Sequence, residues 1–193
     1  VAVAPVLSAF TSAIHPTLGT VIYAGWTQSA AADLHVEYSF DADVWLSSPV
    51  RAREAGPHEE FLLGIPYDAD VTWRVVAENA AGIVTSPDQA VRTRELPSSI
   101  PPVEINVDQA GAQDPDAKYV YLSVTSDGGS FGDRWWVMII DRLARPVWAV
   151  QSKSGAMSMH PRLSWDKTAL LVDQNKYWAE FGVPEELSEG SVD

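Results

Sequence analysis

Imidazole chemistry in this chain can come from four histidines only, His15, His35, His58 and His160. A nucleophilic triad needs one of them as its base. His15 precedes Pro16 near the N-terminus and His58 follows Pro57, so both read as surface loop residues. His35 alternates with Leu34 and Val36, which puts it on the solvent face of a strand. His160 differs. It lies between Met159 and Pro161 in a candidate strand, Met157–Leu163, and Arg162 stands two residues further on. Residues two apart share one face of a regular strand. His160 and Arg162 could therefore form one polar patch, able to stabilise a group that develops negative charge. The competing reading of His160 is a plain structural histidine. There is no Gly-x-Ser-x-Gly, no His-Glu-x-x-His, no phosphate-binding glycine loop and no complete calcium loop.

The elements that must position this pair are short strands. Trp135–Val150 is one apolar run ending in Asp141-Arg142, a three-residue gap, and a second apolar run from Pro146-Val147-Trp148. That pattern predicts two buried antiparallel strands joined by a short hairpin. Lys118–Val124 precedes it and Thr168–Asp173 follows it, with turns at Asp114-Pro115-Asp116, Ser126–Ser130, Ser154-Gly155 and Ser164–Lys167. Val183–Asp193 reads as an acidic loop approaching a further strand. Strands at this spacing are those of a β-propeller, four to a blade, and a ring needs at least about four blades. One and a half blades are legible, so residues 97–193 are expected to be the first blade or blades of a larger ring. The polypeptide completing it would be a covalent continuation or a second chain. Trp135, Trp136, Met138, Ile140 and Trp148 are not expected all to be covered within residues 97–193.

Leu96–Pro102 holds three prolines and marks a domain boundary. Upstream, residues 1–96 alternate apolar and polar over Thr20–Trp26, Leu34–Phe40, Glu59–Leu63, Val71–Ala77 and Gln89–Thr93. Short strands between Gly, Pro and Asp turns, without a helix among them, predict a β-sandwich. Trp73 and Val75 should share a buried face with Trp26 or Tyr38.

Composition narrows the function. The net charge is -13, spread as 5 Lys+Arg against 12 Asp+Glu in residues 1–96 and 8 against 14 in residues 97–193. Without a basic face, nucleic-acid binding is not expected. Acidic clusters could hold calcium, although an even acidic surface mainly confers solubility. The absence of cysteine excludes disulfides and thiolate metal sites and leaves the compartment open. No stretch reaches the roughly 18 apolar residues of a membrane-spanning helix. Val1–Leu7 is apolar without a basic flank, so it is not an intact signal peptide, though it could be the end left by one. Most of the eight tryptophans lie among apolar neighbours and should pack in cores. Trp165 and Trp178, near turns, are the ones that could form a carbohydrate platform.

Two resemblances sharpen this picture. Leu63-Gly64-Ile65-Pro66, the stretch Val71–Gly82 with Arg74-Val75-Val76-Ala77-Glu78-Asn79, and Thr93 together resemble the end of a fibronectin type III domain. Val71 occupies the position of that family's corner tyrosine, so the corner hydrogen bond must be absent or replaced. More widely, this domain, the Leu96-Pro97-Ser98-Ser99-Ile100-Pro101 linker and the hairpin Ile140-Asp141-Arg142…Val147-Trp148 are similar to the start of bacterial arylsulfotransferase-family proteins. That family's repeated theme is Asp-Arg-x-Gly-x-x-x-Trp, and here no Gly occupies the turn. The resemblance implies an all-β protein, secreted, periplasmic or on the cell surface, with a fibronectin type III-like sandwich before a six-bladed propeller. It implies sulfuryl transfer between phenolic compounds through a channel histidine, with His160 and Arg162 as the catalytic residues in reach. Most of the active site would then lie beyond residue 193. The alternative is a non-catalytic structural, adhesive or carbohydrate-binding protein of the same architecture.

Overall fold

The computed structural model describes residues 3–42, 44–105, 118–125, 135–152, 161–165, 169–174 and 186–191. All the regular structure in these residues is antiparallel β-sheet, without a helix. The chain divides into two compact units, Val1–Glu95 and Leu96–Asp193.

In the first unit, alternating apolar residues build nine strands: β1 (Leu7–Ile14), β2 (Ile22–Gln28), β3 (Ala32–Asp41), β4 (Val44–Ser47), β5 (Arg51–Arg53), β6 (Gly56–Leu62), β7 (Asp70–Asn79), β8 (Gly82–Thr85) and β9 (Gln89–Arg92). One sheet has the order β1-β2-β6; the other runs β4-β3-β7-β8, with β5 also on β3 and β9 also on β7. The pairing of Tyr38 with Trp73 and of Val36 with Val75 puts all four side chains on one face. They meet Ile22, Ala24, Trp26 and Leu62 of the other sheet in one core. Trp73 and Val75 are fully enclosed, as their alternation predicts. Phe10 meets the Trp73 ring edge-on at 6.4 Å, and the indole N–H donates to Ser12 Oγ at 2.9 Å. A large aromatic is thus buried with its one polar atom satisfied.

Both outer strands of the larger sheet are split at a Ser-Pro pair, Ser48-Pro49 between β4 and β5 and Ser86-Pro87 between β8 and β9. The serine hydroxyls repair the ladder at the breaks. Val36 N–H donates to Ser48 Oγ at 2.9 Å, and Val75 N–H to Ser86 Oγ at 3.0 Å. In the other sheet β1 is bulged between Ser8 and Thr11, where Ala9 has a φ of 51°. That bulge breaks the period of two, which is why β1 is not legible by alternation. The short strands β4, β5 and β8 also escape a sequence reading.

Val71 is buried and cannot supply a corner hydroxyl. Two residues outside β7, Tyr38 of β3 and Thr93 just after β9, hydrogen-bond to the segment before β7 instead. Tyr38 Oη donates to Leu63 O at 2.8 Å, and Thr93 Oγ1 to Pro66 O at 2.8 Å. Thr93 Oγ1 also accepts from Ala69 N–H at 2.9 Å, so one side chain clasps both ends of the turn that enters β7.

The second unit contains β10 (Tyr119–Thr125), β11 (Trp135–Asp141), β12 (Pro146–Gln151), β13 (Arg162–Leu163), β14 (Ala169–Gln174) and β15 (Glu186–Ser191). They form two three-stranded sheets, β10-β11-β12 and β13-β14-β15. Strand β15 corrects the expectation of a loop over Val183–Asp193. Its own sequence has weak strand propensity, and pairing along Ala169–Gln174 supplies the order that propensity does not. Trp136, Val137 and Met138 are buried within this chain, while Trp135, Ile140 and Trp148 are half-buried. As expected, the five are not all covered: of them only Trp136 and Met138 are buried.

Candidate functional site

Of the predicted pair, only Arg162 lies among the described residues. Arg162 lies on β13, opposite Leu171, with its side chain exposed. His160 lies outside the described residues, as does Trp178. Ser164 closes the β13–β14 connection: its N–H donates to Ala169 O at 2.8 Å and its Oγ accepts from Ala169 N–H at 3.0 Å. Next to it, the ring of Trp165 is fully solvent-exposed, at 103 % relative accessibility. The predicted cation on β13 and an exposed tryptophan just after that strand thus stand three residues apart in sequence.

The hairpin Asp141–Arg145 is built from a single aspartate. Asp141 Oδ1 accepts from Leu143 N–H and Arg145 N–H, both at 2.9 Å, and Oδ2 accepts from Arg145 Nε at 2.7 Å. Ala144 N–H donates to Asp141 O at 3.1 Å, and Asp141 N–H to Arg145 O at 3.0 Å. These bonds define a three-residue loop whose last residue is left-handed. Ala144 is that residue, with a φ of 60°. Burial pushes the Tyr119 hydroxyl above its ordinary pKa, and the Asp141 charge, on the paired residue of β11, adds to the shift.

One face of the same sheet is polar at its far end. Thr125, Trp135 and Ser152 form a row across the three strands, with Ser123 beside Thr125 on the same face. Ser123 Oγ, Thr125 Oγ1, Trp135 Nε1 and Ser152 Oγ are all buried without a hydrogen-bond partner among the described residues.

The other histidines are all engaged. Thr17 N–H and Leu18 N–H donate to His15 Nδ1 at 3.2 and 3.1 Å, and the ring stacks on Tyr23 at 5.6 Å. His15 is therefore half-buried and caps a turn, rather than being a free surface residue. His58 is half-buried too: Nε2–H donates to Glu54 O at 2.7 Å, and the ring lies 5.8 Å from Trp26. His15 meets Tyr23 of β2, and His58 lies not in the expected loop but in β6, opposite Trp26 of β2, pairings that the local sequence does not reveal. His35 faces outward, 3.7 Å from Glu37. On that face Arg74 pairs with Glu37 at 2.7 Å and lies over the ring of Trp45 at 4.2 Å. Trp45 thus departs from the expected core role. Among the described residues no three His, Asp or Glu side chains converge as metal ligands, and no helix is long and apolar enough to cross a membrane.

The chain matches no protein-family model and no curated protein.

Proposed function

We propose that this chain is the N-terminal portion of an exported arylsulfotransferase-like protein, with a fibronectin type III-like sandwich followed by the opening blades of a six-bladed propeller. One observation carries the reading. The hairpin motif lacks only the glycine of Asp-Arg-x-Gly, and the residue at that position, Ala144, adopts the left-handed conformation that a glycine would favour. The strand order of the first unit, with its clasped turn before β7, supports the fibronectin-like half.

In this reading an imidazole nitrogen of His160 attacks the sulfur of an aryl sulfate. The S–O bond to the arene breaks, an N–S bond forms, and the phenolate leaves and takes up a proton. A second phenol then attacks the sulfur, the N–S bond breaks, and the phenolic proton is released. The covalent histidine divides one transfer into two easier steps. The guanidinium of Arg162 would neutralise charge on the equatorial oxygens.

The test is sulfuryl transfer from an aryl sulfate to a phenol by the full-length protein. His160→Ala should abolish turnover and leave the thermal midpoint nearly unchanged. Full activity in that variant removes His160 from the reaction, and no transfer by the full-length protein overturns the enzymatic reading. The full exposure of Trp165 favours the second reading, a carbohydrate-binding protein of the same architecture. There, Trp165→Ala should abolish binding to an oligosaccharide array that the parent protein recognises.

A further inference from the structure

We draw no further inference here: the strongest candidate, the Thr125–Trp135–Ser152 row with Ser123 on one face of the β10–β12 sheet, holds buried polar atoms without partners among the described residues, and nothing in the structure shows what covers that face.

Discussion

Trp73 illustrates what a single residue contributes to the first unit and how much of that is legible. Its place in the core follows from alternation along Val71–Ala77. Its bond to Ser12 does not, because the bulge at Ala9 hides the phase of β1. Trp73→Ala should cost about 3–5 kcal/mol in equilibrium urea unfolding, as large aromatic truncations do. Ser12→Ala should cost about 1–3 kcal/mol by leaving the indole N–H buried and unpaired. A neutral Ser12→Ala would show that this hydrogen bond contributes nothing. Ala144 makes the opposite case. A left-handed non-glycine residue is strained by roughly 1–2 kcal/mol, against a loss of about 0.5–1 kcal/mol from the freer unfolded glycine. Ala144→Gly should therefore raise stability slightly, read as a higher urea midpoint; a lower midpoint would contradict the left-handed turn. Tyr67 supplies a pH test. Burial raises its pKa above 10.0, with the nearby Arg94 charge opposing the shift. The folded value exceeds the unfolded one, so its contribution is fully present below about pH 10 and is lost as pH rises through the folded value. Absorbance titration should show one late-ionising tyrosine fewer in Tyr67→Phe.

Elements are legible where their residues carry their own periodicity, and hidden where a partner supplies the order. Strands β2, β3, β6, β7 and β9 of the first unit follow from alternation, and β10–β12 from apolar runs around a turn. Strand β15 does not, since its hydrogen bonds come from β14 and its side chains announce little. The turn into β7 lies between these cases. The resemblance locates it and predicts a missing tyrosine corner, but only the fold brings Tyr38 and Thr93 to it. Thr93→Val keeps the shape and removes the hydroxyl. It should cost about 1–3 kcal/mol, because Ala69 N–H and Pro66 O lose a partner together. Tyr38→Phe should cost about 1 kcal/mol, and the double variant should reveal coupling between the two clasps. Strict additivity would mean that they hold the turn independently. For the candidate site, the sequence places Arg162 on a strand but says nothing of its exposure, which depends on what packs over β13.

At the scale of the whole molecule, the first unit has its own core and its own hydrogen-bonded turns. Residues 1–95 expressed alone should unfold in one cooperative transition, followed by the fluorescence of Trp26 and Trp73. A gradual, non-cooperative loss of signal would show that this core needs the rest of the chain. The Ser-Pro breaks have a consequence for the company such a domain can keep. A long outer strand exposes a row of unsatisfied amides on which another chain can grow a cross-β assembly. Here that row is cut by proline at residues 49 and 87, by Pro57 in β6 and by the bulge in β1. No outermost strand of the first unit therefore offers a long template, so copies of this domain should withstand crowding at high concentration without seeding one another. Replacing Pro49 and Pro87 by valine should leave the urea midpoint within about 1 kcal/mol of the parent, since outer prolines donate nothing to the ladder. Light scattering of the concentrated double variant should nevertheless rise on standing while the parent stays clear, and equal clarity would show that the prolines do not guard these strands.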